Sequence, residues 1–203
     1  MELKTLNEIE IISAPHSKIS EVDFENLTFG NVFTDHMLVC DYVDGAWQKP
    51  VIEPYAPFMI DPSAKVFHYG QAIFEGMKAY KDEQDDVWLF RPDENYHRFN
   101  KSATRMAMPE VPEDIFLGGL HRLLEIEKEW VKKGKGNTLY IRPFMIATGH
   151  GVIAAPSQEY RFMIILSPAR AYYSGEVKVI IAEHYSRAAN GGIGAAKAAG
   201  NYS

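Results

Sequence analysis

With 203 residues, 46% of them hydrophobic and 12% aromatic, the chain is globular rather than disordered, with room for one large domain or one domain and part of another. A net charge of −6 with no basic stripe argues against a nucleic-acid partner. A single cysteine excludes an internal disulfide and points to a reducing compartment.

Residues 1–12 carry Leu3, Ile9, Ile11 and Ile12 and read as a strand or arm without a signal-peptide core. Residues 13–35 read as polar loop. MLVCDYV (37–43) reads as a strand ending at Asp44-Gly45, a hairpin signal. Cys40 within it reads as a small buried hydrophobe. In AWQKPVIEPY, Pro50 and Pro54 suit an edge or irregular strand. PFMI (57–60) then precedes Asp61-Pro62. IFEGMKAYK (73–81) and VWLF (87–90) flank an acidic turn and form a second hairpin.

A helix is expected after Pro92, with Asp93 as N-cap and an apolar stripe of Tyr96, Phe99, Ala103 and Met106. A second is expected from about Glu113 to Lys133, burying Phe116, Leu120, Leu123, Leu124, Trp130 and Val131 and stopping at Gly134. Lys132, Lys133 and Lys135 read as charges capping its C-terminus. Strands follow at TLYIRPFMIA (138–147), EYRFMIILS (159–167) and EVKVIIAEH (176–184), with PARAYYSG (168–175) as a linker between the last two. Strands cluster, then helices, then strands, without βαβ alternation. The expected class is α+β, a mixed or antiparallel sheet with helices on one side. No apolar run reaches the roughly 18 residues of a membrane span, so a soluble cytoplasmic protein is expected.

The tail RAANGGIGAAKAAGNYS (187–203) is the most informative stretch. Lys197 stands among alanines and glycines, with no carboxylate nearby in sequence. Three readings are open on local sequence alone: a flexible glycine-rich loop, a phosphate loop, or a Schiff-base lysine. The phosphate loop lacks its G-x-x-x-x-G-K-[ST] pattern. A Schiff-base lysine must be desolvated or set beside another cation, since its free pKa is about 10.4.

Five segments together resolve the choice. GGIGAAKAAGNYS, FGNVFTDHML (29–38), HYGQAIFEGMKAY (68–80), LFRPDENYHRF (89–99) and LYIRPFMIATG (139–149) resemble, in the same order, segments of the branched-chain amino-acid aminotransferases. These are pyridoxal-phosphate enzymes of the fold type that includes D-amino-acid aminotransferase. The resemblance implies that Lys197 is the Schiff-base lysine and then a general acid/base. It implies that Tyr202 hydrogen-bonds the cofactor's phenolic oxygen and that Arg98 contacts its phosphate. Tyr140 and Arg142 match a substrate-side pair, two apart and so on one face of a strand. Phe29, Phe74 and Tyr172 match aromatic walls of the substrate pocket. Tyr69 and the loop around Val152 match positions that reach a partner subunit's site, so a homodimer with a shared active site is implied. Glu75, His68 and His150 receive no chemical role. No metal is expected, because the histidines lack ligand spacing.

The implied function is transamination of leucine, isoleucine or valine with 2-oxoglutarate. Within the fold, a D-amino-acid aminotransferase or an aminodeoxychorismate lyase is the alternative. Outside it, a non-catalytic or oligomerising fragment is. The family's carboxylate on the pyridinium nitrogen lies downstream of its lysine, and this chain ends six residues after Lys197. Residues 1–172 are expected to form a small domain, 173–175 a linker, and 176–203 the start of a β-rich cofactor domain belonging to a longer protein.

Overall fold

The computed structural model describes residues 9–170 and 175–202. Among these, nine strands form one sheet: β1 (Glu10–Ile11), β2 (His36–Val43), β3 (Ala46–Trp47), β4 (Val51–Pro54), β5 (Ala72–Phe74), β6 (Met77–Lys81), β7 (Val87–Leu89), β8 (Thr138–Ala147) and β9 (Tyr160–Ala169). The order is β1-β4-β2-β9-β8-β6-β7, with β3 paired to β2 and β5 to β8. Only β1–β4 is parallel. The helices α1 (Lys65–Tyr69), α2 (Pro92–Arg105) and α3 (Gly119–Ile126) complete the regular structure. The α+β expectation is met.

Strand β8 sets the division of labour. Leu139, Ile141, Met145 and Ala147 are buried, whereas Tyr140, Arg142, Phe144 and Ile146 are half-buried on the opposite face. That is the two-residue period of a strand with unlike faces. The first set joins Phe99 and Ala103 of α2, Leu120, Leu123 and Leu124 of α3, and Phe162 and Ile164 of β9 in one core. Phe99, Phe116 and Phe162 meet with centroids 5.3 to 5.5 Å apart. Apolar burial there contributes the bulk of stability.

The turn at Asp44-Gly45 is as expected, with φ of 54° and 78° and Val43 opposite Ala46. Other details differ. The expected 73–81 strand is broken at Glu75-Gly76 into β5 and β6. PFMI forms no strand. Arg91, not Asp93, precedes the first turn of α2, at φ 47°, and Pro92 takes the first helical position, where a missing N–H costs nothing.

The single helix expected over 113–133 is instead a π-helical turn (Asp114–Gly118), α3 and a 3-10 turn (Lys128–Trp130). The helical backbone runs without a gap from 113 to 126, and a Cβ on Gly119 would lie 2.5 Å from Leu38 Cδ1, so α3 rests directly on β2. Glu127 leaves the helix to take His36 on its carboxylate. The lysines after α3 do not cap it. Lys133 donates to Asp85 at 2.8 Å and to the Glu83 carbonyl at 3.0 Å, and Lys132 lies 4.6 Å from the Phe24 ring centroid.

The strand expected over 176–184 is absent. Its apolar residues lie in water, Val179 84% and Ile180 96% exposed, because no described strand pairs with them. Residues 191–202 instead dock on the first layer. Ala196 and Ala198 enter the core, Ala198 bridges Ile73 of β5, and Arg105 donates to the Gly192 carbonyl. The start of a second β-rich domain is therefore not seen as strands. Residues 171–174, which hold Tyr172 and most of the expected linker, lie outside the described set. Cys40 is buried, donates to the Gln48 carbonyl, and has its thiol pushed up to about 12 by burial, with Asp41 and Asp114 adding.

A polar clasp holds the 13–35 segment, which carries Phe29 and Phe33, against the sheet. His36 Nε2 accepts from the Ala14 N–H, so Nδ1 carries the proton and donates to Glu127. Asp35 accepts from the Ser17 hydroxyl, the Lys18 N–H and the Trp130 indole at 2.5, 2.9 and 3.1 Å. Burial pushes the Asp35 carboxyl up, but these bonds outweigh it and hold the group below its ordinary value. A depressed folded value means that Asp35 stabilises the fold fully above the unfolded carboxylate value of about 3.9, and that this is lost as pH falls through the folded value. Acidification from about pH 5 to about pH 3 is expected to lower the denaturant midpoint steadily. Asp35→Asn is expected to flatten that slope and to cost about 1–3 kcal/mol near neutrality. Denaturant titrations at several pH values check both.

Candidate active site

Lys197 is fixed at both ends of its peptide unit. Its N–H donates to the Ser102 hydroxyl of α2 at 2.9 Å, and its carbonyl accepts from the Phe74 N–H of β5 at 3.1 Å. The small residues have local causes. Ala196 and Ala198 fit the core on either side, and a Cβ on Gly194 would lie 2.5 Å from Ala188 Cβ. The Asn201 side chain donates to the Ile193 and Ala196 carbonyls and ties the turn after the lysine to the turn before it.

The Lys197 ammonium lies 4.5 Å from the Phe74 centroid and 4.9 Å from that of Tyr202. It donates to Tyr202 Oη at 3.2 Å. Phe74 and Tyr202 meet edge to face at 4.9 Å. The same Phe74 ring receives Arg142, 4.6 Å from its centroid. Arg142 donates through Nε and Nη2 to Tyr140 Oη, at 3.3 and 2.8 Å. Tyr140 meets Phe29 at 4.9 Å. Lys197, Tyr202, Phe74, Arg142, Tyr140 and Phe29 are thus one continuous assembly. Among the described residues, neither Lys197 nor Arg142 meets a carboxylate.

Gly76 makes room for that assembly. A Cβ there would fall 2.4 Å from Tyr140 Oη, so a larger residue would displace the phenol. Arg142, Tyr140 and Phe29 line a cavity of about 130 Å³ together with Gly30, Phe33, Ile165 and Ser167.

Arg98 carries a partner that the sequence did not reveal. Its Nε and Nη2 donate to the two oxygens of Glu75 at 2.6 and 2.8 Å. Glu75 is fully buried and also accepts from the Asn95 amide and the Gly76 N–H. This pairing raises the Arg98 guanidinium above its ordinary value, against the opposing effect of burial. Arg98 lines a surface pocket together with Glu94, Asn95, His97 and Lys101. A carboxylate inside the otherwise apolar run IFEG was the available signal, since buried charges are kept only where they are paired. Arg91 pairs with Glu94 instead, on the surface.

Tyr69 and Val152 lie together elsewhere. The Tyr69 hydroxyl donates to the Val152 carbonyl, and the Tyr69 ring lies 6.4 Å from that of His68. Their loop is pinned by Lys65, whose buried ammonium donates to the carbonyls of Ile153 and Ala155 at 3.2 and 2.7 Å. Among the described residues, no group of three or more His, Cys, Asp or Glu could hold a metal, and no helix is long and apolar enough to cross a membrane.

In overall shape the chain resembles an aminotransferase. The Escherichia coli branched-chain amino acid aminotransferase superposes with a TM-score of 0.58 at 22% identity, covering 80% of this chain and 51% of that one. An aminotransferase from Brucella abortus, solved with the cofactor PLP, gives 0.53 at 18% identity, covering 81% of this chain and 54% of that one. Sequence narrows the kinship. Branched-chain-amino-acid transaminase 1 of Bacillus subtilis is 51% identical over 185 residues, 89% of this chain and 52% of that protein. Branched-chain-amino-acid aminotransferase 2 of the same organism is 47% identical over 190 residues, 92% of this chain and 52% of that protein. The chain is a homologue of the branched-chain-amino-acid aminotransferases across nearly nine-tenths of its length, and it spans about half the length of these curated relatives. No protein-family model matches it.

A double-mutant cycle tests the Glu75–Arg98 pair. Arg98→Ala leaves Glu75 buried without its counter-charge and is expected to cost about 3–5 kcal/mol of stability. Glu75→Gln removes the charge and is expected to cost about 1–3 kcal/mol. The two together are expected to cost less than the sum, which urea titration of the four proteins checks.

Proposed function

We propose that this chain carries the Schiff-base lysine and the substrate-side residues of a pyridoxal-phosphate aminotransferase acting on leucine, isoleucine and valine with 2-oxoglutarate. One observation carries the proposal: Lys197 and Arg142 both rest on the Phe74 ring, and among the described residues neither meets a carboxylate, so an amine and a guanidinium share one aromatic side chain.

The donor set suits the cofactor. An amine for an aldehyde, a phenol for a ring oxygen and a guanidinium with free N–H groups for a phosphate are all present, as Lys197, Tyr202 and Arg98. When bound, the cofactor supplies an electron sink for negative charge at the substrate α-carbon. Lys197 would hold the cofactor through its amine, and the same amine would carry the proton to and from that carbon. Its tethered position gives it a high effective concentration. Tyr202 orients the lysine amine and offers its hydroxyl to the ring oxygen. Arg98, held in register by Glu75, fixes the phosphate.

On the substrate side, Phe29, Phe74 and the Tyr140 ring take apolar branches by contact and exclude water. The Arg142 guanidinium takes glutamate's distal carboxylate in the same pocket. Tyr172 is assigned to this wall from the resemblance. Tyr69 and Val152 are assigned to the neighbouring subunit's site in a homodimer, which suits the exposure of Tyr69, Val152 and Ile153.

The division into a small domain at 1–172, a linker at 173–175 and the opening of a cofactor domain at 176–203 belongs to the same proposal. The exposed apolar residues of 177–181 support it, since they would suit partner strands. The lone buried cysteine supports a cytoplasmic location within this proposal.

The test is amino transfer from leucine, isoleucine and valine to 2-oxoglutarate by the protein that bears this sequence. Transfer is expected from all three, and Lys197→Ala is expected to lower kcat by about a thousandfold or more. Retained turnover in that variant, or no transfer from any of the three, would overturn the proposal.

A further inference from the structure

Ser167 stands out from the other buried polar groups. It is 3% exposed, and its Oγ is the one buried side-chain nitrogen or oxygen among the described residues without a hydrogen-bond partner. Buried hydroxyls are nearly always satisfied, so an orphan needs a partner that is not protein. Ser167 sits on the pocket-facing side of β9, opposite Tyr140 in the β8–β9 register, with Ile165 opposite Arg142. Directly opposed residues of an antiparallel pair project from the same face with their Cβ atoms about 5 Å apart. Ser167 lines the same cavity as Phe29, Phe33, Tyr140 and Arg142.

The hydrogen-bond inventory of that cavity is lopsided. Arg142 has five N–H donors, of which Tyr140 Oη takes bonds from two nitrogens. Tyr140 Oη, already accepting from both, has its own O–H left to donate. Ser167 adds a third donor. Among the described residues, no carboxylate lines the cavity. Three donors around a space walled by Phe29 and Phe33 call for an anionic acceptor carried on an apolar chain.

We infer that Ser167 is a specificity-determining residue of this pocket: its hydroxyl donates to the distal carboxylate of glutamate or 2-oxoglutarate beside Arg142. The inference rests on the function proposed above and adds to it the residue that favours the dicarboxylic over the branched apolar substrate. A branched aliphatic substrate leaves the hydroxyl unpaired, as it is now, and so gains nothing from it. The dicarboxylate alone satisfies it. Removing the hydroxyl should therefore act on one substrate of the pair and not the other.

The experiment measures steady-state KM and kcat for leucine and for 2-oxoglutarate in the unaltered protein and in Ser167→Ala, Ser167→Cys and Ser167→Thr. Thermal midpoints of all four report on folding. In the Ala and Cys variants, KM for 2-oxoglutarate is expected to rise about tenfold, with KM for leucine within about twofold. The Thr variant, which keeps the hydroxyl, is expected to stay near the unaltered ratio. An unchanged ratio in active Ala and Cys variants, or equal losses for both substrates, would overturn the role of Ser167 and leave the proposed function standing. An unaltered protein that transfers no amino group would overturn both.

Discussion

The ten-residue pairing of β8 with β9 is the constraint from which the rest of the molecule follows. Its register runs from Thr138 opposite Ala169 to Ala147 opposite Tyr160 without a bulge. A strand turns successive side chains to opposite faces, so this register decides at once what is core and what is pocket. Leu139, Ile141, Phe162, Ile164 and Leu166 go to the helices. Tyr140, Arg142, Ile165 and Ser167 go to the other face, around one cavity. A slip of one residue would put a guanidinium into the core, at a cost that burial of unpaired charge makes prohibitive. The same apolar burial that stabilises the fold therefore also places the pocket.

The cations of the candidate site are held in two different ways. Arg98 is neutralised within the protein by Glu75, which is fully buried and held from three sides. That arrangement stiffens the guanidinium and leaves only its outer donors for a ligand. Among the described residues, Lys197 and Arg142 have no such carboxylate. They rest on aromatic faces, which stabilise a cation without consuming its donors. The site proposed to take a phosphate, a carboxylate and an aldehyde would need this contrast, because a fully paired cation has nothing left to offer.

Much of the layout was legible in the sequence because it depends on short-range rules. The Asp44-Gly45 turn, the alternation of 138–147, and the apolar faces of Phe99, Ala103, Leu120 and Leu124 are all periodicity and turn chemistry. The cluster of Lys197, Tyr202, Phe74, Tyr140, Arg142 and Phe29 came from ordered motifs rather than from any single pattern. What escaped was set by contacts between distant residues. Glu127, held against His36, ended at 126 a helix that local propensity would carry to 133. Glu75 carried no visible link to Arg98, 23 residues on, although a carboxylate in an apolar strand already demanded a counter-charge. Ser167 was unremarkable in LSPAR, and only the register shows that it shares the Arg142 pocket. The apolar run 177–181 has strand-like composition, but a strand needs a neighbour, and none of the described strands pairs with it.

The central claim is that Lys197, clamped between Ser102 and Phe74 and set against Tyr202, is the residue that takes the cofactor. Borohydride reduction of the protein mixed with pyridoxal phosphate, followed by peptide mapping by mass spectrometry, tests it directly. Near-stoichiometric modification at Lys197 is expected, with only traces on the other lysines. Modification concentrated on another lysine, or spread evenly over the surface with Lys197 unlabelled, would contradict it.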